Sequence, residues 1–448
     1  MGAGTAIWWI RRDLRLADQP ALQAAAEAGS VVPVFVLDDA LLAPTGGPRR
    51  AFLLRRLTAL DEELRRHGPG LTLRRGDPAQ VIAEAAAETG AESVHVSADF
   101  GPYGRRRDEA VRASLGEIPL IATGSPYAVA PGRVLTQGGA PFQVFTPFYR
   151  AWLHHGWRAP ADTDPSRITW RELPGEDMPS EDSDMPLPEA TEEAAHLAWA
   201  RFRDHGLADY PQSRERPDLD GTSRLSVYLR WGLLHPRTLL ADLGPDDEVF
   251  RKELAWREFY ASVLASWPES ARAYFRPELE RLPYVRGALL SERLEAWQAG
   301  HTGYPIVDAA MRQLLATGWM HNRLRMITAS FLVKDLQIEW QHGARHFMRQ
   351  LIDADLASNQ HGWQWAAGTG TDAAPYFRIF NPTTQAKRFD PEGDFVRAWI
   401  PELAHLPGAA IHEPWRHDDG DAHGYPIRIV DHSEQRTAAL EAYRSLRR

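Results

Sequence analysis

The chain has 448 residues, of which 44% are hydrophobic and 25% charged, a globular composition that excludes a disordered, collagen-like or coiled-coil protein. It contains no cysteine, which excludes disulfides, thiolate nucleophiles and cysteine-ligated metals. The net charge of −9 is concentrated in residues 151–200, which sum to −8, whereas residues 301–388 sum to +3. A local basic face can bind phosphates whatever the global charge, so nucleic acid remains a candidate partner.

The sequence shows no sign of a membrane or export signal. No apolar run approaches the roughly 18 residues that a membrane-spanning helix needs. The first ten residues lack the basic segment and long apolar stretch of a signal peptide. We therefore expect a cytoplasmic protein without a membrane partner.

The first 125 residues alternate between apolar strand-like runs and helical stretches. The predicted strands are Ile7–Ile10, Val31–Leu37, Leu71–Leu73, Val94–Ser97 and Leu120–Ala122. Between them, Ala51–His67 and Ala79–Thr89 carry apolar residues at helical spacing. This alternation predicts a doubly wound parallel α/β domain over residues 1–128. No glycine-rich phosphate loop follows the first strand, which argues against a dinucleotide dehydrogenase or a P-loop enzyme.

The remainder of the chain divides into a connector and a helical domain. Residues 129–195 are rich in Pro, Gly, Asp and Glu and predict a long interdomain connector over the surface. Residues 196–448 contain 11 of the 16 tryptophans and predict an all-helical domain. Its clearest helices are Pro305–Thr317, which begins with proline and stops before Gly318, and a second over about 322–340.

One helical face carries unusual chemistry. Glu253, Trp256, Arg257 and Tyr260 are spaced i, i+3, i+4 and i+7, which places a carboxylate, an indole, a guanidinium and a phenol together. Such a face suits a planar, hydrogen-bonding ligand. The alternative is an amphipathic tryptophan beside a surface ion pair.

Two other segments combine polar groups in ways that suit a nucleotide. Gly221–Ser226 packs three hydroxyls and an arginine before a helical run, which suits a phosphate group or a simple helix cap. Asp353 and Asp355 precede Asn359 and two tryptophans, without the further carboxylates of a metal site. His342 and His346 share a helical face but lack the glutamate of a zinc motif, so no metal is expected.

Taken together, these segments resemble the DNA photolyase/cryptochrome family, specifically its class I cyclobutane pyrimidine dimer photolyases. The resemblance covers nearly the whole chain. Its stretches are Ile7–Arg15, Gly221–Ser226, Glu253–Tyr260 and, most densely, Gly300–Glu402.

The resemblance implies a non-covalent FAD in the C-terminal helical domain. Carried over by position, the residues that would hold it are Tyr210, Thr222, Ser223, Arg224, Leu225, Ser226, Phe250, Arg257, Asn322, Arg325, Asp353, Asp355 and Asn359. Within this set, Asn359 would lie at flavin N5. An amide there avoids the competing negative charge of a carboxylate, which suits a fully reduced, anionic flavin.

The reaction that the resemblance implies is light-driven electron transfer from excited FADH⁻ to a flipped-out dimer, whose two ring bonds then open. The implied catalytic residues of the lesion pocket are Glu253, Trp256, Asn322, Met326 and Trp365. The implied DNA-binding residues are Arg214, Glu253, Trp256, Asn322, Arg323, Arg378, Gln385 and Arg388. Met326 resembles the dimer-specific members, whereas (6-4) photoproduct enzymes tend to have histidine there.

The chain departs from the family pattern in its electron relay. Trp363 and Trp340 match the proximal and middle tryptophans, but the distal position falls on Gly287 or Leu289. Tyr284 or another aromatic residue could replace it. The departure concerns photoreduction of the flavin and leaves repair intact.

The antenna pigment is the other point of departure. The segment at Tyr103 and Gly104 resembles members that bind 8-hydroxy-5-deazaflavin more than those that bind methenyltetrahydrofolate. The expected antenna contacts are Asp38, Arg50, Asp99, Tyr103 and Arg230. A folate or an empty site are the alternatives.

Two other functions fit the sequence less well. A cryptochrome-type photoreceptor often carries a long tail, whereas this chain ends 33 residues after Trp415. A nucleotidyl transferase would need a His-x-Gly-His signature or a phosphate loop. We therefore expect a monomeric photolyase that acts on UV-damaged DNA, with a (6-4) photolyase as a further alternative.

Overall fold

A computed structural model describes residues 4–181, 183–372, 375 and 378–446 of the chain. The chain forms two compact units: unit 1 contains Met1–Leu207 and Ser223–Pro268, and unit 2 contains Ala208–Thr222 and Glu269–Arg448. This division differs from the domain boundaries expected from the sequence, because residues 196–207 and 223–268 group with the α/β part. Residues 373, 374, 376 and 377, inside the densest stretch of resemblance, lie outside the described residues.

Unit 1 is built on a parallel five-stranded sheet. Its strands are β1 Thr5–Ile10, β2 Ser30–Leu37, β3 Thr72–Arg75, β4 Ser93–Val96 and β5 Leu120–Ala122. Their order is β3-β2-β1-β4-β5. All six residues of β1 are buried, as expected for a central strand covered by helices on both faces. The predicted doubly wound α/β fold is confirmed.

Helices make up most of the remaining regular structure. The α-helices of the described residues are, in chain order, α1 Pro20–Ala28, α2 Asp39–Leu42, α3 Gly47–Arg65, α4 Pro78–Thr89, α5 Pro102–Ser114, α6 Phe145–His155, α7 Glu192–His205, α8 Tyr210–Ser213, α9 Ser226–Trp231, α10 Pro236–Asp242, α11 Glu248–Ser266, α12 Gly287–Ala299, α13 Pro305–Thr317, α14 Asn322–Ser330, α15 Trp340–Gln350, α16 Leu356–Ala367, α17 Pro382–Phe389, α18 Asp394–Trp399 and α19 His432–Ser445. Unit 2 is therefore helical, as predicted. No helix among the described residues is both long enough and apolar enough to cross a membrane.

Helix ends follow local sequence signals. The Asp77 side chain accepts from the backbone N–H of Ala79 at the start of α4. Helix α13 begins at Pro305 and ends at Thr317, and the φ of +63° at the following Gly318 is the left-handed conformation that glycine adopts without strain. The predicted bounds of α13 are confirmed.

The expected surface connector contains a buried helix. Helix α6 lies inside residues 129–195 and buries Phe145, Phe148, Tyr149 and Trp152. The expectation of an irregular connector is wrong for this segment. These four aromatic residues are spaced i, i+3, i+4 and i+7, so one face of α6 packs into unit 1.

The helix expected over residues 322–340 is interrupted. Helix α14 ends at Ser330, a π-helical turn covers Phe331–Asp335, and α15 begins only at Trp340. In the interruption, Gln337 has a φ of +56°, and its carbonyl accepts from the backbone N–H of Val285. A continuous helix would use that carbonyl internally, so the prediction of one helix is wrong here.

Candidate functional site

Unit 2 contains a pocket of about 660 Å³ that brings together many of the residues singled out from the sequence. Its walls are formed by Glu215, Arg323, Met326, Trp365, Arg378, Phe380, Gln385, Arg388 and Phe389. Six of these nine residues are expected lesion or DNA contacts. These residues lie on separate helices and loops, and the folding of unit 2 brings them together in space.

Aromatic and cationic side chains alternate along one wall of this pocket. The guanidinium carbons of Arg323 and Arg388 lie 4.6 and 5.1 Å from the ring centre of Phe389, which is buried on α17. Such contacts hold an arginine at a fixed angle without using its hydrogen-bond donors. Phe389 and Phe380 were missed from the sequence, since their role depends on tertiary packing.

A carboxylate also lies in the pocket wall. Glu215 forms an ion pair with Arg323 and lies 3.4 Å from the guanidinium of Arg214. Arg214 itself lies over the ring of Tyr210, at 5.4 Å from the ring centre. The expected DNA contact Arg323 is therefore already paired within unit 2, and Glu215 is a residue that sequence reasoning missed.

The backbone at Arg378 is held by a hydrogen bond from a buried lysine. Lys334, 1% exposed within the π-helical turn, donates from Nζ to the carbonyl of Arg378 at 2.7 Å. Burial lowers the pKa of Lys334 to about 8. The interruption between α14 and α15 thus places a buried cation where it holds the Arg378 backbone.

A second polar cluster of unit 2 joins α14 to α16. Arg325 and Asp353 form a two-pronged ion pair with N–O distances of 2.8 and 3.2 Å. Asp355 accepts from the backbone N–H of Ser358 and caps α16. The Asn359 amide nitrogen donates to the Ala344 carbonyl at 3.1 Å and to the Gln360 side chain at 2.7 Å. The Asn359 carbonyl oxygen is then the atom left to accept a further hydrogen bond.

In unit 1, α11 carries the face predicted from the sequence. Trp256 is half-buried, and its ring stacks on Phe145 with centres 3.8 Å apart and planes 7° from parallel. Arg257 donates to the carbonyls of Pro126 at 2.9 Å and Leu229 at 3.2 Å. Glu253 is half-buried on the same helix.

The other expected cofactor residues lie in both units and differ in burial. Phe250 packs against Trp199 and Phe202 in unit 1. Arg224 is exposed with a φ of +50°, and the hydroxyl of Ser223 accepts from the Leu225 backbone. The boundary between the units falls between Thr222 and Ser223. Ser226 is exposed at the start of α9, whereas Tyr210 is buried in unit 2.

The tryptophans of the expected relay are buried. Trp363 packs edge-on against Phe347 at 5.0 Å, and Trp340 packs edge-on against Tyr274 at 6.1 Å. Tyr274 in turn lies 6.3 Å from Tyr284. An aromatic path therefore leads from Trp340 through Tyr274 to Tyr284, the residue named from the sequence as a replacement for the distal tryptophan.

The expected antenna residues are engaged with one another or with near neighbours in unit 1. The Tyr103 hydroxyl donates to Asp38, and Asp99 pairs with Arg107 at 3.2 Å. A Cβ at Gly104 would lie 2.2 Å from the Asp99 carboxyl carbon, so any other residue there would displace the Asp99 carboxylate. The two remaining antenna residues also have partners: Arg50 pairs with Glu181, and Arg230 lies 4.9 Å from the ring centre of Trp231.

A buried carboxyl on α11 joins three parts of unit 1. Glu258, 1% exposed, accepts from the indole N–H of Trp152 at 2.6 Å and from the backbone N–H groups of Ala128 and Val129. Burial raises the pKa of Glu258 to about 7, although the three donors favour its charged form. This residue carried no signal in the sequence beyond its place on α11.

We expect Glu258 to make stability depend on pH. Between its ordinary pKa of 4.5 and the folded value of about 7, only the folded chain keeps the proton, so raising the pH favours unfolding. At ~1.4 kcal/mol per pKa unit, the free energy of unfolding relative to Glu258→Gln should fall by about 3 kcal/mol across this range. Urea unfolding of both proteins at pH 4.5 and pH 8 measures it. Parallel pH profiles would show that folding does not raise the pKa of Glu258.

Comparison with known proteins agrees with this arrangement. Residues 6–166 match the family model described as DNA photolyase, and residues 250–445 match the FAD binding domain of DNA photolyase. A deoxyribodipyrimidine photo-lyase of Streptomyces griseus is 42% identical, over 97% of this chain and 98% of its own.

Solved structures show the same fold. A bacterial class III photolyase from Agrobacterium tumefaciens superposes with a TM-score of 0.90 at 34% identity, covering 100% of this chain and 98% of its own. A Synechocystis cryptochrome superposes with a TM-score of 0.89 at 27% identity, covering 99% and 100%.

A parallel α/β unit, a helical unit and an FAD-binding region define a flavoprotein of the photolyase and cryptochrome class. Within that class, identity over nearly the full length decides the family. The chain belongs to the DNA photolyase family. Assignment to class I stays a prediction.

Proposed function

We propose that this protein is a deoxyribodipyrimidine photo-lyase that uses light to open cyclobutane pyrimidine dimers in DNA. The observation that carries the proposal is the unit 2 pocket, where Trp365 and Met326 lie beside three arginines. Indole faces stack on bases, and guanidinium groups bind phosphates. The 42% identity to a photo-lyase over nearly the full length supports the same reaction.

FAD is the implied cofactor, and the polar cluster between α14 and α16 fits a flavin. The fixed amide of Asn359 offers its carbonyl oxygen, which would accept a hydrogen bond from N5–H of the reduced ring. Arg325 and Asp353 offer a donor and an acceptor held in one plane. Bound FAD, when reduced and excited by light, supplies the electron that opens the dimer. The other expected cofactor residues keep their roles as part of this proposal.

The chain's own residues bind and orient the lesion. Trp365 and Trp256 would stack on the flipped bases, and Met326 would contact them without offering a hydrogen bond. Glu253 and Asn322 would bind the polar edges of the dimer, with Glu253 stabilising the negative charge that develops during ring opening if it holds a proton there. These roles support repair of cyclobutane dimers over (6-4) photoproducts, where the family tends to have histidine at Met326.

The DNA-binding part of the proposal predicts a change in salt dependence. Arg378 is exposed at the pocket, so Arg378→Ala should weaken binding to damaged and undamaged DNA alike. The slope of log affinity against log salt should become shallower by about one, the effect of losing one phosphate contact. Arg349→Ala, an exposed arginine of α15 outside the pocket, is the matched control. An unchanged slope in Arg378→Ala would remove Arg378 from the DNA contacts.

Survival of irradiated cells tests the proposed function as a whole. A photolyase-deficient bacterium that expresses this chain should survive UV irradiation better when blue light follows, and an empty vector should give no such gain. Survival without any light dependence, from cells whose purified protein carries FAD, would contradict repair and favour a photoreceptor. Repair of (6-4) photoproducts alone would contradict the proposed substrate.

The antenna proposal rests on the residues around Tyr103. We keep 8-hydroxy-5-deazaflavin as the proposed pigment, supported by the Tyr103 and Gly104 pattern, with methenyltetrahydrofolate or no pigment as alternatives. Absorbance of the chromophores released from protein made in a deazaflavin-producing host distinguishes the three. A monomer in the cytoplasm acting on UV-damaged DNA completes the proposal.

A further inference from the structure

One face of the Trp256 ring is covered by Phe145, a residue that is not part of the expected site. Phe145, the first residue of α6, is 6% exposed and lies almost parallel to the indole at a ring separation of 3.8 Å. Tyr260 also lies near Trp256, with ring centres 5.3 Å apart but planes at 44°, so among the described residues of unit 1 it is Phe145 that lies parallel to the indole. The exposed part of this half-buried indole is therefore not the face that Phe145 covers.

Neighbouring rings hold this stack in place. Phe259 packs edge-on against both Phe145 and Trp256, with ring centres 5.9 and 5.6 Å away. Tyr149 continues the stack beyond Phe145 at 5.7 Å. Rotation of the Trp256 ring would break its contacts with Phe145 and Phe259. Aromatic side chains in such a packed cluster also have no free volume into which to turn.

The two helices that carry the stack are tied together by a buried hydrogen bond. Trp152 of α6 donates its indole N–H to Glu258 of α11 at 2.6 Å. Phe145 and Trp152 lie two turns apart on α6, and Trp256 and Glu258 lie two residues apart on α11. This link fixes how far α6 can slide along α11, and hence the overlap of the Phe145 and Trp256 rings.

We infer that Phe145 is a positioning residue for lesion recognition, which fixes the Trp256 indole so that its opposite face is presented to a flipped pyrimidine dimer. The inference rests on the proposed function, since it needs Trp256 to contact the lesion. A ring that is already ordered loses no rotamer freedom when a base stacks on it, so affinity for the dimer is higher than with a mobile ring. Undamaged DNA, whose bases stay stacked in the duplex, gains nothing from this order.

The test compares Phe145→Leu with Phe148→Leu, a matched variant on the same helix. Phe148 is also buried, but its ring contacts are Phe142 and Phe259, not Trp256. Binding is measured in the dark with an oligonucleotide containing one thymine dimer and with its undamaged counterpart. Phe145→Leu should weaken dimer binding about threefold to tenfold and leave undamaged binding unchanged, the scale of one lost aromatic pair. Phe148→Leu should leave the ratio of the two affinities as in the wild type.

Three further measurements separate the possible outcomes. In a Trp256→Ala background, Phe145→Leu should have no further effect on dimer binding. Phe145→Tyr, which keeps the ring, should bind as the wild type does. If Phe145→Leu does not fold, Phe145→Met carries the same expectation.

An unchanged ratio in folded Phe145→Leu, together with a lower ratio in Trp256→Ala, would overturn the inference and leave the proposed function standing. If Trp256→Ala itself leaves the ratio unchanged, the proposed lesion contact fails, and the inference fails with it. Equal losses for both DNAs in Phe145→Leu and Phe148→Leu would assign Phe145 to core packing alone.

Discussion

Trp256→Ala is expected to weaken binding to dimer-containing DNA by about 1–3 kcal/mol, roughly 5-fold to 150-fold in Kd. The physical reason is the loss of one stacking surface for the flipped bases. Undamaged DNA should be almost unaffected, since its binding depends on phosphate contacts that the variant keeps. Equilibrium binding in the dark, with one dimer per oligonucleotide, measures both.

A matched control variant distinguishes the loss of a stacking surface from a general loss of structure. Trp170 is likewise half-buried in unit 1, and its indole N–H donates to Pro165 away from α11. Trp170→Ala should leave the preference for dimers intact. A Trp256→Ala protein that keeps FAD and still prefers dimers as strongly as the wild type would remove Trp256 from the lesion contacts.

Trp340→Phe is expected to abolish most of the light-driven reduction of oxidised FAD, while repair by chemically reduced enzyme stays normal. An electron taken from Trp363 would be replaced from Trp340, and phenylalanine is far harder to oxidise than an indole. The wild type itself should reduce slowly, since the distal relay position falls on Gly287 or Leu289 and not on a tryptophan. Absorbance during illumination with an external thiol gives the rates.

The tyrosines beyond Trp340 decide where the relay ends. Tyr274 touches Trp340, and Tyr284 lies next to Tyr274, both below 10% exposure. Leu289→Trp on α12 should speed reduction more readily than Gly287→Trp, because Leu289 is 43% exposed and Gly287 has a φ of +60° that strains any other residue. If Trp340→Phe changes nothing while Tyr284→Phe abolishes reduction, electrons bypass Trp340 and the relay assignment is wrong.

The α/β fold could be predicted because its signals are local. Alternating apolar runs located the strands of the sheet to within a few residues, and Pro305 with Gly318 located both ends of α13. Helix α6 was equally visible in the spacing of Phe145, Phe148 and Tyr149. It was missed because the surrounding Pro and acidic residues dominate the composition of that segment.

The interruption after α14 could not be predicted from spacing alone. Leu332 and Leu336 continue the helical apolar pattern, and both are buried as the pattern requires. The helix is interrupted by tertiary hydrogen bonds. Lys334 is buried and bonded to the carbonyl of Arg378, and Asp335 is buried and bonded to His432, both far along the chain. A buried polar group is stable only where such partners exist, and no local rule supplies them.

The sequence predicted the residues expected to contact the lesion and DNA better than the residues that hold them in place. The sequence singled out Trp365, Met326 and Arg388, and the structure gathers them in one pocket of unit 2. It could not identify Glu215 or Phe389, since both contact Arg323, which is distant from them in sequence. Supporting residues of this kind become visible only when separate segments are brought together.

The most direct test of the central claim is a count of dimers before and after illumination. Purified protein with FAD fully reduced is mixed with an oligonucleotide carrying one thymine dimer, and intact dimers and restored thymines are separated by chromatography. We predict that blue light converts each lost dimer into two thymines, that nothing changes in the dark, and that a (6-4) photoproduct is left untouched. Reduced, FAD-loaded protein that leaves the dimers intact under light, or that removes them equally in darkness, would contradict the account.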